Sequence, residues 1–220
     1  MEALQSLIDG VRYLIDLFLH LDKHLGEVIS QYGLWTYGIL FLVIFCETGL
    51  VVTPILPGDS LLFAAGALCH SSGMRPEILI VLLTVAAILG DAVNYAVGRY
   101  AGPKVMTMYP KIFKKEYLDK TQAFYEKYGG KTIIFARFIP IVRTFAPFLA
   151  GVGKMGYSRF ALYNGVGGIV WIVGFVLAGY WFGEIPVVKK NFTLVILAII
   201  LLSVLPAVIE AWKSKRATSV

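Results

Sequence analysis

The sequence is poor in charge and in cysteine. Charged side chains make up 15% of its 220 residues, and it has two cysteines and three histidines. Soluble domains carry about 25% charged residues, so the composition excludes a water-soluble globule, and two cysteines exclude a disulfide-stapled fold. Apolar residues reach 58% and the mean hydropathy is +0.74. The sequence therefore predicts an all-α integral membrane protein.

The net charge of +6 favours contact with anionic lipid rather than with nucleic acid. Basic loops of membrane proteins lie on the cytoplasmic side. Lysine and arginine concentrate in residues 99–131 and in the tail after residue 209, so both segments are predicted to be cytoplasmic. Residues 1–30 are acidic instead, unlike a cleavable signal peptide, and the alternation of spans places them on the outer side.

Hydropathy predicts one membrane domain, residues 1–220, built from seven segments. About 20 apolar residues cross a bilayer as a helix. A run broken by proline and charge is tolerated at that depth only where protein or water satisfies the freed backbone, which favours a re-entrant hairpin. The segments are an amphipathic helix in 1–30, a hairpin in 34–69, a transmembrane helix in 78–97, a basic segment with a short amphipathic helix in 99–131, a hairpin in 132–153, and transmembrane helices in 160–182 and 192–209.

Proline and glycine mark the predicted breaks of the two hairpins. Pro54, Pro57 and Gly58 interrupt the first, and Pro140 and Pro147 interrupt the second. Each hairpin is followed by an apolar span, and the two units enter the membrane from opposite sides. Such inverted repeats are typical of secondary transporters, whose sites lie where the broken helices meet.

The two hairpins carry charges of opposite sign. Glu47 and Asp59 lie in the first, and Arg137 and Arg143 lie in the second. Each charge at bilayer depth costs about 2.5–3.5 kcal/mol, so the charges are expected to face one another or a hydrated cavity. Guanidinium groups suit bidentate phosphate binding, which predicts that the arginines bind a phosphate and the acids carry protons or pair with the arginines. The alternative is a set of ion pairs that only lock the hairpins together.

Asp91 is a third acid at membrane depth. Asn94 and Tyr95 follow it at one-turn spacing on the same helix face. This face is either a hydrogen-bonding anchor for the hairpins or a position in a proton relay.

Three motifs follow one another along the chain. They are Glu47-Thr-Gly with Pro54 and Leu56-Pro57-Gly58-Asp59-Ser60, then Gly90-Asp91, Tyr95, Gly98-Arg99 and Gly102, then Arg137-Phe-Ile-Pro140, Arg143-Thr, Pro147 and Ala150-Gly151. These motifs resemble those of the DedA family of bacterial inner-membrane proteins, which is similar to the eukaryotic VTT-domain lipid scramblases. The resemblance implies two opposed re-entrant hairpins in a multi-pass protein of the cytoplasmic membrane, for which the basic loops predict a periplasmic N-terminus and a cytoplasmic C-terminus. It also implies that the four hairpin charges are essential and that the protein returns undecaprenyl phosphate across the membrane, with links to the proton motive force.

The expected function is therefore that of a lipid flippase or scramblase for undecaprenyl phosphate or a phospholipid, with protons as a further partner. No enzymatic activity, cofactor or metal is expected, because the three histidines lie outside the arginine region and no nucleophile or phosphate-loop motif is present. Gly98 and Gly102 form a small-residue pair compatible with a homodimer. The alternatives are a proton-coupled cation or drug transporter and a structural membrane protein with buried ion pairs.

Overall fold

The computed structural model describes residue 5 and residues 21–50, 58–108 and 115–202. Within these ranges the chain forms helices joined by short turns, without a strand, so the all-helical prediction is confirmed. The helices are α1 (Leu21–Tyr32), α2 (Trp35–Gly49), α3 (Gly58–Ser72), α4 (Pro76–Met108), α5 (Lys115–Tyr128), α6 (Thr132–Ala136), α7 (Pro140–Val152), α8 (Tyr157–Phe182), α9 (Pro186–Lys190) and α10 (Phe192–Leu202).

Two of the described helices are long and apolar enough to cross a bilayer. They are the Pro76–Gly102 part of α4 and the whole of α8, about 40 Å long at 1.5 Å per residue, against about 30 Å of hydrocarbon. They cover the spans predicted at 78–97 and 160–182. However, α4 continues to Met108. Hydropathy predicts only the part of a helix that lies within the hydrocarbon, whereas the helix itself continues as long as its backbone hydrogen bonds are made.

Three predicted segments are described in part. The final span was predicted for 192–209, and the structure describes it as far as Leu202. The amphipathic helix predicted in 1–30 is represented by α1, and most of the residues before it lie outside the described ranges. The short helix predicted in the basic segment is α5.

Two helix–break–helix units precede the long helices. We call α2 with α3 the first helix pair, and α6 with α7 the second. In the first pair the predicted breaks Pro54 and Pro57 lie outside the described residues, and Gly58 begins α3. In the second pair the helix breaks at residues 137–139, and Pro140 is the first residue of α7, where its fixed φ suits a helix start.

The prediction of a break at Pro147 is wrong, because α7 runs through this residue. Proline removes one backbone hydrogen bond, here the one to the Arg143 carbonyl four residues earlier, and helices packed inside a membrane protein tolerate such a loss. Two side chains from other helices bond to the neighbouring carbonyls and hold this turn against α4 and α5. Asn94 donates to the Thr144 carbonyl at 3.1 Å, and Tyr125 donates to that of Ala146 at 2.8 Å.

The two helix pairs pack in a crossed pattern. The first helix of each pair contacts the long helix that follows it, α2 on α4 and α6 on α8, whereas the second helix contacts the other long helix, α3 on α8 and α7 on α4. Glycines allow these crossed contacts, since a Cβ at Gly179 would overlap the Phe63 carbonyl of α3 and one at Gly98 would overlap the Phe148 carbonyl of α7. The second helix of each pair is thereby held against the long helix of the other unit.

Apolar side chains lie on both the inner and the outer faces of the long helices. Leu83, Ile172 and Val176 are fully buried in a core that α2 and α3 complete. On the outer faces, Val81 and Leu162 are each 64% exposed. Large apolar side chains on the outside of a well-packed helical protein suit a lipid solvent, in agreement with the membrane prediction.

Candidate functional site

Arg143 joins the two acids of the first helix pair. Its Nη2 lies 2.6 Å from Glu47 Oε1, and its Nη1 lies 3.1 Å from Asp59 Oδ1. The three side chains are nearly buried, with 11% of Arg143 exposed. We call these residues the Arg143 triad. A single guanidinium of α7 therefore holds the end of α2 and the start of α3.

The start of α3 is shaped to receive this guanidinium. Asp59 lies in the first turn of α3, where the positive end of the helix dipole stabilises a carboxylate. A Cβ at Gly58 would overlap the Glu47 carboxyl group. Gly58 is therefore required because the Glu47 side chain rests directly against the backbone there.

Arg137 forms a second, deeper cluster. Its Nη2 lies 2.6 Å from Asp91 Oδ2 and 2.5 Å from Asn164 Oδ1, and the Arg137 and Asp91 side chains are 1% and 4% exposed. Asn164 in turn donates to the Ile88 carbonyl at 3.0 Å. The buried Nε and Nη1 of Arg137 have no hydrogen-bond partner among the described residues. We call Arg137 with Asp91 the Arg137 pair.

Trp171 of α8 connects the two clusters. Its Nε1 donates to Asp59 Oδ1 at 2.8 Å, and its ring lies 5.1 Å from the guanidinium carbon of Arg143 and 5.6 Å from that of Arg137. Cations at these distances from an indole are stabilised by its negative face. Sequence reasoning missed Trp171; the available signal is a tryptophan in the middle of a long span, since this residue favours the membrane interfaces.

Asn94 links the two helix pairs through backbone groups. Its Nδ2 donates to the Thr144 carbonyl of α7 at 3.1 Å and lies 3.4 Å from the Thr48 carbonyl of α2. Asp91 and Asn94 therefore both contact the second helix pair, whereas Tyr95, predicted on the same face, donates to the Met155 carbonyl. Asn164 was also missed, because a single amide changes the hydropathy of an apolar span little.

The structure brings together three of the four predicted hairpin charges. Arg143 forms ion pairs with both Glu47 and Asp59, whereas Arg137 pairs with Asp91. The predicted convergence of the two guanidiniums on one anion stays a prediction. In the structure they lie against the same indole with separate carboxylate partners, because Arg137 follows the end of α6 and Arg143 lies one turn inside α7.

The remaining sequence features are the small-residue glycine pair and the possible metal ligands. Gly98 and Gly102 face Phe148 and Val152 of α7 in the same chain, so this glycine pair is used within the chain, and the homodimer stays a prediction. The described residues contain no group of three or more histidine, cysteine, aspartate or glutamate side chains placed to hold a metal.

The comparisons with known proteins identify relatives that are membrane proteins. Residues 56–181 match the VTT domain family. Protein DedA of Escherichia coli K12 is 55% identical over 215 residues, which cover 96% of this chain and 98% of that protein. An uncharacterized membrane protein of Mycobacterium tuberculosis is 46% identical over 82% of this chain and 80% of its own. Inner membrane protein YqjA of E. coli K12 is 35% identical over 70% of each.

No solved structure matches the chain. The sequence matches, however, extend over nearly its whole length and include both helix pairs and both long helices. The predicted resemblance is thereby confirmed, and the chain belongs to the DedA family of VTT-domain membrane proteins.

Proposed function

We propose that this protein moves the phosphate headgroup of an anionic lipid across the bacterial cytoplasmic membrane while the lipid tail stays in the bilayer. The lipid is undecaprenyl phosphate or a phospholipid, and it leaves chemically unchanged. The observation that carries the proposal is the Arg143 triad, a nearly buried guanidinium of one helix pair bound by two carboxylates of the other. A phosphate presents the same fork of oxygens to arginine as these carboxylates do.

The proposal includes the topology of the chain. Each helix pair is a re-entrant hairpin, the two enter from opposite sides, and together with their long helices they form an inverted repeat. The crossed packing supports this, since α3 and α7 occupy equivalent places on α8 and α4. The basic segment around α5 then lies in the cytoplasm with the C-terminus, and the N-terminus lies in the periplasm.

Exchange of partners at Arg143 is the central step of the mechanism. An arriving phosphate displaces Glu47 and Asp59 from the guanidinium, and the carboxylates return when the phosphate leaves. Arg137 supplies a second contact through its spare buried N–H groups, since both arginines lie against Trp171.

Proton coupling follows from the charge balance of the site. Glu47, Asp59 and Asp91 supply three carboxyl groups against two guanidiniums. An uncompensated charge is costly away from water, and a bound phosphate adds further negative charge. Uptake of a proton by one carboxyl group on lipid binding offsets one unit of that negative charge, and its release on the other side couples the movement to the proton gradient.

The experiment measures translocation of labelled phosphatidylglycerol and labelled undecaprenyl phosphate in proteoliposomes at two pH values. Arg143→Lys keeps the charge but loses the planar fork, so we expect translocation at least about tenfold slower, the effect of losing one charge-assisted hydrogen bond. The exposed Arg159→Lys is the matched control and should keep the rate.

Three results contradict the proposal. One is an undiminished rate for both Arg143→Lys and Arg143→Ala at wild-type protein density. Another is chemical conversion of the lipid, read by mass spectrometry of the recovered pool, which indicates an enzyme. The third is proton-driven uptake of a lipophilic cation without lipid movement, which indicates a cation transporter.

A further inference from the structure

A cavity of about 390 Å³ lies beside α4, outside the two charged clusters. Arg99, one of the residues that line it, follows Asp91 by eight residues, about 12 Å along the helix, towards the end of the long apolar span. The volume is within the usual range of small-ligand sites, about 300–1,000 Å³. The lining residues are Ala92, Tyr95, Ala96, Arg99, Tyr100 and Tyr157.

Arg99 is the charged group of this cavity, and it has no acidic partner among the described residues. Arg137 and Arg143 both form ion pairs with buried carboxylates, whereas Arg99 contacts only neutral oxygens. Within the described ranges its charge is therefore not neutralised, and it can bind an anion.

The guanidinium of Arg99 is held in place from one side. Its Nη1 donates to the Tyr95 hydroxyl at 3.2 Å and lies 3.5 Å from the Met155 carbonyl. Tyr95 itself is fixed, because its ring stacks on Phe160 with centroids 4.4 Å apart and its hydroxyl donates to Met155. In the described part of the chain, Nε and Nη2 of Arg99 bond to nothing, so a tethered guanidinium keeps free donors beside the cavity.

An apolar stripe on α4 leads towards this cavity. Val85, Leu89 and Val93 follow one another at one-turn spacing and are 44%, 47% and 46% exposed. Ala92 and Ala96 continue along α4 as lining residues of the cavity itself, and their small side chains leave room there. A ligand that fits both parts has an anionic head and a long apolar tail.

We propose that this cavity is a second lipid site, in which Arg99 binds the headgroup phosphate of an anionic lipid whose acyl chain lies along the Val85–Val93 stripe. Tyr100 and Tyr157 flank the headgroup, and tyrosine is enriched at this depth because its ring is apolar and its hydroxyl is wet. Binding here does not require that the lipid be moved, so the site is independent of the proposed transport.

The test uses the full chain in detergent and a phosphatidic acid with a photoreactive group near the top of one acyl chain. Crosslinks are mapped by mass spectrometry to residues 92–100, which separates this site from the Arg143 triad. Arg99→Gln should raise the lipid concentration for half-maximal crosslinking about tenfold, since a charge-assisted hydrogen bond is lost. Lys104→Gln, an exposed charge on the same helix, should leave it unchanged.

Two further arms make the result decisive. Arg99→Lys keeps the charge but loses the planar fork, so its binding should lie between those of the native protein and Arg99→Gln, a graded series that a folding defect does not produce. A matched photoreactive diacylglycerol should label residues 92–100 weakly, and inorganic phosphate should not compete. Equal labelling by diacylglycerol, equal loss in Lys104→Gln, unchanged labelling in Arg99→Gln, or displacement by inorganic phosphate at the same concentration as lipid overturns the proposal.

Discussion

Replacing Asp91 by asparagine tests whether the Arg137 pair anchors the fold. In the native protein the Arg137 guanidinium is buried, 2.6 Å from the Asp91 carboxylate, and Asn164 supplies its other bond. In Asp91→Asn the side chain keeps its shape and one acceptor oxygen, but the positive charge of Arg137 loses its counter-charge. An anchoring role predicts a loss of stability, whereas a proton-relay role predicts normal stability and a changed pH dependence of transport.

The expected loss can be scaled from the burial of the pair. Removing one partner of a buried ion pair costs about 3–5 kcal/mol, because it leaves an uncompensated charge. Since asparagine still accepts a hydrogen bond from Arg137, we expect the lower end, about 3 kcal/mol. That is a large part of a typical stability of about 5–15 kcal/mol. The double variant Asp91→Leu with Arg137→Met removes both charges and should recover most of the loss.

Denaturant unfolding in mixed micelles, followed by circular dichroism, measures the free energy of unfolding. Glu77→Gln is the matched control, because Glu77 is an exposed acid in the first turn of the same helix, and it should cost less than about 1 kcal/mol. The reasoning is refuted if Asp91→Asn costs no more than Glu77→Gln. It is also refuted if the double variant is as unstable as the single one.

Two further predictions concern the contacts made by α8. Trp171→Phe keeps an aromatic ring but removes the N–H that donates to Asp59. The free energy of unfolding should therefore fall by about 1.5–3 kcal/mol. A fall no larger than that of the exposed Trp181→Phe contradicts this prediction. Gly179→Ala should destabilise the protein by about 1–3 kcal/mol, because the methyl overlaps a backbone carbonyl of α3. Gly165→Ala, where nothing lies within 4 Å of the new methyl, should stabilise it by about 0.5–1 kcal/mol. Stability changes of the same sign in the two variants contradict the close packing of α3 on α8.

Hydropathy predicts much of this fold, because a helix that crosses the hydrocarbon of a bilayer must be apolar over about 20 residues. Long apolar runs give α4 and α8, and the interrupted runs give the two helix pairs. Hydropathy does not predict where a helix breaks, because backbone hydrogen bonds decide that. The helix α7 continues through Pro147 although this residue removes one backbone hydrogen bond. Asn94 and Tyr125 from other helices bond to the neighbouring Thr144 and Ala146 carbonyls, and nothing in the local sequence reveals those donors.

The charged residues of the site are predictable for a different reason. A charge in an apolar run is costly, so Glu47, Asp59, Arg137 and Arg143 stand out from the sequence. Their pairing is set by the crossed packing of α3 on α8 and α7 on α4, which no local pattern encodes. Neutral polar groups such as Trp171 carry little such cost, and their contribution becomes visible only once the helices are in place.

The difference between the two arginines follows from where their partners reside. Arg137 is bound by Asp91 and Asn164, which belong to α4 and α8. Arg143 is bound by Glu47 and Asp59, and both belong to the first helix pair. A separation of the two helix pairs with the long helices fixed therefore breaks both ion pairs of Arg143 and leaves that of Arg137 intact. In the proposed mechanism such a movement frees Arg143 for a phosphate, while Arg137 keeps the end of α6 attached to the long helices.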